Sequence, residues 1–198
     1  MPSPSKEEKV LKLILEGSPL KEWHFNEIVR ETKVTKAVAN KWLKKYIKEG
    51  LLKHIKERGR FPYFTVGNNN PVYYSKKKIY AMEKLHQSGL LAELLSQKTK
   101  TIIVFGSFIK GDWYKESDID VFFMGEVPQF DKHFYERKLR RSIELHFFED
   151  KKEIEEVKTG LIKNIVNGYC IKGQIQDIME VINRREIVSP CPKGQGLN

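Results

Sequence analysis

Two aspartates one residue apart, Asp118 and Asp120, are the residues best placed to do chemistry in this sequence. They follow a short apolar run, Thr101–Phe105, and a Gly-Ser pair at Gly106 and Ser107. Because side chains alternate along a strand, a strand over residues 118–123 points both carboxylates to the same face. Two carboxylates so close repel each other, and a divalent cation that takes oxygen ligands from both removes the repulsion. The spacing therefore predicts a metal centre.

The Gly106-Ser107 pair is suited to a phosphate group beside such a centre. Glycine lets the backbone approach a bound group closely, and the Ser107 hydroxyl adds a hydrogen-bond donor. Mg²⁺ combines readily with one or two carboxylates and with substrate phosphates. An isolated Asp-x-Asp pair is a weak signal, since such pairs also cap turns or face solvent.

Further residues stand at fixed spacing around the aspartates, namely Gly111-Asp112 and Ser117. Together with the Gly-Ser pair and the Asp-x-Asp pair, they resemble the signature of the DNA polymerase β-type nucleotidyltransferase superfamily, in particular its minimal members. Residues 164–173, with a helical pattern, a glycine and a short apolar run, are similar to the end of those minimal domains. The resemblance covers about residues 76–175.

That resemblance implies an α+β domain with a small mixed sheet flanked by helices. It also implies transfer of a nucleoside monophosphate from ATP or another nucleoside triphosphate to a hydroxyl acceptor, with Mg²⁺ or Mn²⁺ held by the carboxylates. The residues it assigns to the nucleotide are Gly106, Ser107, Lys110 and Ser117. Minimal members often carry arginines after the Gly-Ser pair, whereas this chain has Phe108-Ile109-Lys110 there.

A third carboxylate on a neighbouring strand completes the metal centre in that superfamily, and the resemblance places Glu144 in this position. Residues 141–148 read as a strand whose alternation puts Glu144 and His146 on one face. The other face, which we expect to turn toward the core, holds Ile143, Leu145 and Phe147. Glu144 is expected to bind the metal and to accept the proton of the attacking hydroxyl. The superfamily more often has aspartate here.

The neighbours of Glu144 offer alternatives for this position. Glu149 and Asp150 are also carboxylates, but they stand at the end of the predicted strand, where we expect them to start the next helix. His146 shares the predicted face of Glu144 and is interpreted as a structural histidine, with tuning of the site as the alternative.

The N-terminal part of the chain reads as three helices and a hairpin. The predicted elements are helices over 5–17, 25–31 and 35–50 and strands over 51–56 and 61–66. Ser5 and Glu8 form a capping-box pattern, and Thr35 is the expected N-cap of the third helix. This order of elements resembles the winged helix-turn-helix family of DNA-binding domains over about residues 5–68.

Positive charge is concentrated in residues 33–60. The chain has a net charge of +10, and this stretch, with ten lysines and arginines against two glutamates, contributes +8 of it. A polyanionic partner explains this concentration, and a solvated lysine-rich face is the alternative. By the winged-helix resemblance, the third helix and the hairpin contact double-stranded DNA. The residues expected at that interface are Lys36, Asn40, Lys41, Lys44, Lys45, Arg58 and Arg60.

The chain is thus expected to contain a winged-helix domain over residues 1–70, a nucleotidyltransferase domain over 71–187 and a disordered tail over 188–198. The turn-forming residues 67–71 mark the boundary. A long helix is predicted over 76–97, with an interruption at Gly89. Winged helices often act as pairs, and this helix is compatible with a homodimer without requiring one.

No apolar run approaches the ~20 residues that span a bilayer, and the first residues do not form an apolar signal segment. We therefore expect a cytoplasmic protein without membrane contact. Cys170 and Cys191 stand in no paired spacing, which favours neither a zinc site nor a disulfide framework.

Two functions follow from these patterns. In the first, the chain is a nucleotidyltransferase with a DNA-binding regulatory domain. Proteins that resemble it often serve as antitoxins that adenylylate a helical toxin protein, and a fused DNA-binding domain suits autoregulation of such a pair. In the second, the chain is a non-catalytic winged-helix transcriptional regulator whose second domain only binds a nucleotide or a partner.

Overall fold

A computed structural model describes residues 4–176, 178 and 179 of the chain. The chain divides into two compact units. The first holds the chain up to Ser88 together with Ser107–Asp118, and the second holds Gly89–Gly106 and the chain from Ile119 onward. The domain boundary at residue 70 stays a prediction, and the tail predicted over 188–198 lies outside the described residues.

The first unit begins with three helices, a hairpin and a longer helix. Its elements are α1 (Lys6–Glu16), α2 (Phe25–Thr32), α3 (Lys36–Lys48), β1 (Lys53–Ile55), β2 (Tyr63–Thr65) and α4 (Pro71–Ser88). The Ser5 Oγ atom accepts a hydrogen bond from the Glu8 amide at 3.1 Å, which confirms the predicted cap of α1. Thr35 Oγ1 accepts one from the Val38 amide at 3.4 Å and caps α3 as predicted.

The β1–β2 hairpin is antiparallel, and its strands are shorter than the runs that predicted them. Trp23 adds an isolated bridge to it, because the Trp23 and Phe64 backbones exchange two hydrogen bonds of 2.8 Å each. The local pattern around Trp23 did not predict this bridge, since the residue that completes it lies far away in the chain.

The long helix predicted over 76–97 is wrong in its extent. It begins earlier, at Pro71, where the Asn70 side chain accepts a hydrogen bond from the Val72 amide at 3.0 Å. It ends at Ser88, because Gly89 adopts a left-handed φ of +84° that an α-helix cannot contain, and a separate short helix follows. Among the described residues, no helix is both long and apolar enough to cross a bilayer.

The remaining elements of the described chain are a four-stranded sheet, the helices that flank it, and a short helix after the first of these strands, most of which belongs to the first unit. They are α5 (Leu90–Ser96), β3 (Thr101–Phe105), α6 (Gly106–Lys110), β4 (Ile119–Met124), α7 (Lys132–Leu139), β5 (Ile143–Phe148), α8 (Lys151–Glu156), α9 (Thr159–Val166) and β6 (Tyr169–Lys172). The strand order is β5-β4-β3-β6. The β4–β5 pair is parallel and the other two pairs are antiparallel, so the sheet is mixed, as the sequence predicted.

One face of this sheet is covered by the helices α8 and α9. Its core residues on the central strands are Ile103, Phe105, Phe122 and Met124, which pack with Ile154 of α8 and with Ile162 and Ile165 of α9. Asp120 lies on this same face, because it precedes Phe122 by two residues and pairs with Phe105. The apolar core on this face therefore ends next to the Asp120 carboxylate.

Strand β5 forms an edge of the sheet, and this corrects the predicted burial of its apolar face. Ile143 is buried as expected, but the Leu145 side chain is 38% exposed. An edge strand has a neighbour on one side only, so side chains along it are covered less well than the alternation alone predicts.

Candidate functional site

Asp120 and Glu144 are brought side by side by the pairing of β4 with β5. Each is the second residue of its strand, and the parallel register pairs them directly. His146 follows Glu144 by two residues and therefore returns to the same face of β5. Three polar side chains thus share one end of this face of the sheet.

The three side chains lie close enough together to hold one metal ion. One potential ligand atom from each of them lies within 4.8 Å of the other two. The His146 Nε2 atom is 3.7 Å from Asp120 Oδ1 and 3.7 Å from Glu144 Oε1. Asp120 and His146 are mostly buried, with 22% and 19% of their side chains exposed, whereas Glu144 is 60% exposed. Glu144 is thus the group of the three that is most accessible from solvent.

The His146 ring is packed against Phe105, with ring centroids 5.1 Å apart. Its Nε2 atom is shielded from solvent and has no hydrogen-bond partner among the described residues. A buried polar atom without a partner is costly, and most such atoms in folded proteins are satisfied. Among the described residues, His146 Nε2 therefore makes no hydrogen bond that would support a purely structural role for this histidine.

Gly106 forms the floor under the Asp120 carboxylate. A Cβ atom built on Gly106 would lie 1.9 Å from Asp120 Oδ2, far inside contact distance. The residue also has a left-handed φ of +81°, which side chains other than glycine adopt with strain. Gly106 was predicted to let a bound group approach its backbone closely. In the structure, the group that lies against Gly106 is the Asp120 carboxylate.

Asp118 lies one residue before β4 and is exposed. The strand predicted over 118–123 therefore begins one residue later than expected. Among the described residues, the group that could hold a metal consists of Asp120, Glu144 and His146 and does not include Asp118. The assignment of Asp118 to the metal stays a prediction.

The residues between Ser107 and Asp118 form a turn-rich segment within the first unit. The Ser107 carbonyl accepts hydrogen bonds from the amides of Gly111 and Asp112, each 3.1 Å long. Ser117 Oγ accepts one of 2.8 Å from the Tyr114 amide. Trp113 is completely buried, and its Nε1 atom donates to the Lys77 carbonyl at 3.3 Å, so this aromatic residue packs the loop. Contact of Gly106, Ser107, Lys110 and Ser117 with a nucleotide stays a prediction.

Asp150 caps the helix α8, as the sequence predicted. Its Oδ1 atom accepts hydrogen bonds from the amides of Lys152 at 2.8 Å and Glu153 at 3.3 Å. The carboxylate is therefore occupied by a structural role. Glu144 remains the carboxylate of β5 that faces Asp120.

The helix α3 presents the basic residues predicted to contact DNA. Lys36, Asn40, Lys41 and Lys44 are exposed. Lys45 differs from them, since its Nζ atom lies 2.7 Å from a Glu7 oxygen and 3.7 Å from a Glu49 oxygen. The hydrogen bond to Glu7 raises the pKa of Lys45, so this lysine stays charged and its charge is paired within the first unit. Trp42 is half-buried between Lys41 and Lys45, whose Nζ atoms lie about 5 Å above its ring (5.1 and 4.9 Å).

The two arginines of the hairpin turn have different surroundings. Arg60 pairs with Glu57 and Glu22, with nitrogen–oxygen distances of 3.1 Å in both cases, and the hydrogen bond to Glu57 raises its pKa. Arg58 is exposed and, among the described residues, makes no ion pair. Arg58 is thus the arginine of the turn whose charge is unpaired.

The sheet is mixed and flanked by helices, which is an α+β arrangement, and it places carboxylates that could hold a metal ion on two adjacent parallel strands. A family model described as the nucleotidyltransferase domain matches residues 88–186, which is half of the chain. The chain therefore belongs to the nucleotidyltransferase domain family and is a transferase. No curated protein and no solved structure matches it.

Two features of this site escaped the sequence analysis. One is that His146 could act as a ligand, because this residue was expected on the same face as Glu144 but was interpreted as structural. The other is the contact between Gly106 and Asp120, which depends on the antiparallel pairing of Phe105 with Asp120. That register is a tertiary property, and no pattern along the chain specifies it.

Proposed function

We propose that this protein transfers a nucleoside monophosphate from a nucleoside triphosphate, with ATP as the first candidate, to a hydroxyl acceptor and releases pyrophosphate. The observation that carries this function is the meeting of Asp120 and Glu144 on adjacent strands of a nucleotidyltransferase domain. A bound Mg²⁺ or Mn²⁺ ion would neutralise the charge that develops on the phosphates. Oxygen ligands from carboxylates fit this kind of ion.

Each residue has a distinct part in the proposed reaction. Asp120 and Glu144 bind the cation, and Asp118 joins them when the nucleotide is present. Glu144 also accepts the proton of the acceptor hydroxyl, a role that suits the most exposed of the clustered groups. Gly106, Ser107, Lys110 and Ser117 hold the triphosphate by backbone amides, hydroxyls and one positive charge.

A calorimetric titration of ATP with Mg²⁺ tests this function. The wild type is compared with the double variant Asp118→Asn, Asp120→Asn, which removes two carboxylates of the proposed centre. The control is the double variant Glu126→Gln, Glu155→Gln, which removes the same amount of charge from exposed positions of the second unit. We expect metal-dependent binding in the wild type and the control and its loss in the aspartate variant. Absence of nucleotide binding by the wild type would contradict the function.

The acceptor in this proposal is a hydroxyl of a partner protein. Resemblance to antitoxin-like minimal nucleotidyltransferases makes a helical toxin protein the class of partner to test first. Transfer of a labelled nucleotide from ATP to a co-purified partner, dependent on Asp120, is the corresponding measurement.

We also propose that the first unit binds double-stranded DNA in the manner of a winged helix. The carrying observation is the exposed row of Lys36, Lys41 and Lys44 on α3, followed in the chain by an antiparallel hairpin with the unpaired Arg58. Cations on a helix that enters the major groove contact phosphates and release counterions. Lys45 and Arg60 contribute less than their neighbours, because Glu7, Glu22 and Glu57 already pair with them.

Fluorescence anisotropy of a labelled duplex tests the DNA interface. The variant Lys41→Ala, Lys44→Ala should bind more weakly, and the slope of log affinity against log salt should fall by about 2. The control, Lys98→Ala with Lys152→Ala, changes the net charge equally at exposed positions of the second unit. If the wild type binds no duplex even at low salt, this second function is wrong.

A further inference from the structure

The cluster at Asp120 contains a nitrogen donor that a site made only for Mg²⁺ does not need. Mg²⁺ binds oxygen ligands and keeps several waters, whereas imidazole suits transition metals better. His146 is nevertheless directed at both carboxylates, with its Nε2 atom equally far from Asp120 and Glu144. The donor set is therefore two carboxylates and one imidazole.

The distances fit ligands that share an ion better than they fit direct pairing. At 3.7 Å, the contacts of His146 Nε2 are too long for hydrogen bonds to either carboxylate. Two ligands that are each ~2.1 Å from one cation lie roughly 3 to 3.4 Å apart, within a few tenths of an ångström of this spacing. All three groups, whose ligand atoms lie within 4.8 Å of one another, could reach one ion if their side chains moved closer together.

The His146 ring is supported by packing. Phe105 lies against the ring, and the Nε2 atom is away from solvent without a hydrogen-bond partner in the described part of the chain. Phe105 precedes Gly106, so the residue that holds the histidine adjoins the residue that makes room for Asp120. The same short segment therefore positions two of the three donors.

We infer that His146 supplies a nitrogen ligand to the divalent cation bound by Asp120 and Glu144, so that the centre prefers Mn²⁺ to Mg²⁺. This inference rests on the proposed function, because it concerns the metal of that same centre. An imidazole ligand raises affinity for first-row transition ions relative to Mg²⁺, and Mn²⁺ still accepts carboxylate and phosphate oxygens. If the carboxylates of Glu144 and Asp120 were the only protein ligands, the preference for Mn²⁺ over Mg²⁺ would be weak.

Pulsed electron paramagnetic resonance of Mn²⁺ added to the full-length protein, without nucleotide, tests the ligand directly. A coordinated imidazole gives a ¹⁴N modulation that oxygen ligands do not. We expect this modulation in the wild type and its loss in His146→Leu, which keeps an apolar side chain against Phe105. The control is His86→Leu, which removes an exposed histidine of α4 in the first unit. His146→Gln replaces the leucine variant if the latter does not fold.

Titrations of Mn²⁺ and Mg²⁺ into the same variants supply the second readout. Removal of His146 should weaken Mn²⁺ binding at least about tenfold and Mg²⁺ binding much less. Mn²⁺ binding with no ¹⁴N modulation, or equal losses for both ions in His146→Leu, would overturn the role of His146 and leave the proposed function intact. If the wild type binds neither ion, with or without ATP, both the inference and the proposed function fail.

Discussion

The Asp120 carboxylate lies in the space that a side chain at position 106 would fill. Its Oδ2 atom would be 1.9 Å from a Cβ on Gly106, and the Gly106 backbone is left-handed. Position 106 requires glycine for two reasons. The backbone φ angle is left-handed, and the Asp120 carboxylate occupies the space of a Cβ atom. The absence of a side chain at position 106 therefore allows the Asp120 carboxylate its position.

Gly106→Ala should lower both stability and metal affinity. The new methyl group displaces Asp120, and the left-handed backbone adds strain, so we expect a loss of about 1–3 kcal/mol in the free energy of unfolding. Chemical denaturation and titration of Mn²⁺ measure the two effects. Gly160→Ala is the matched control, because a Cβ there meets no described atom within 4 Å, and it should change neither quantity appreciably. Unchanged metal binding in Gly106→Ala would refute this account of Asp120.

At the scale of elements, the helix α7 fixes the start of β5 through Glu136. The Glu136 Oε1 atom accepts a hydrogen bond of 2.9 Å from the Ile143 amide, one residue before Glu144. Its other oxygen lies 2.7 Å from His133 Nδ1, and Lys132 is 3.3 Å away. These contacts, the Ile143 amide foremost, hold the pKa of Glu136 below its usual range. The first amide of the strand that carries Glu144 and His146 is thus bound by the ionised Glu136 carboxylate.

Glu136→Gln should destabilise the protein at neutral pH but not in acid. A carboxyl whose pKa is lowered on folding stabilises the fold above its unfolded-state pKa, and this contribution disappears as the pH falls through the folded-state value. We expect a difference of about 1 kcal/mol at neutral pH that declines as the pH falls below the unfolded-state pKa of about 4.3 and disappears below the lower folded-state pKa. Urea unfolding across this range measures it, with Glu155→Gln as an exposed control. A difference that is constant with pH would mean that the charge of Glu136 does not matter.

The sequence predicted most of these elements because capping and periodicity are local. Ser5, Thr35 and Asp150 cap the helices that they were expected to cap. What escaped prediction depends on partners far away in the chain. The bridge between Trp23 and Phe64 is one case, and the exposure of Leu145 on an edge strand is another. Alternation specifies the face of a residue on a strand, but the strand order decides whether that face is covered.

At the scale of the whole molecule, the concentrated positive charge and the clustered carboxylates lie in different compact units. Most of the net charge of +10 lies in residues 33–60 of the first unit, whereas the Asp120 cluster lies in the second. Long-range attraction of a polyanion and local binding of a cation therefore depend on different residues.

The two proposed activities should accordingly be separable by mutation. Asp120→Asn should abolish nucleotidyl transfer and leave the affinity for duplex DNA nearly unchanged. Lys41→Ala with Lys44→Ala should do the reverse. Parallel measurements of nucleotide transfer and DNA anisotropy on both variants check this. Loss of DNA binding in Asp120→Asn would show that the two activities are coupled.

The three tryptophans of the chain, Trp23, Trp42 and Trp113, all belong to the first unit. Intrinsic fluorescence excited at the red edge of tryptophan absorption therefore reports on that unit alone. Trp23 and Trp113 are buried and supply a steady background, while Trp42 is half-buried between Lys41 and Lys45 of α3. A polyanion that settles on α3 changes the surroundings of Trp42, so the protein carries its own optical probe for this event.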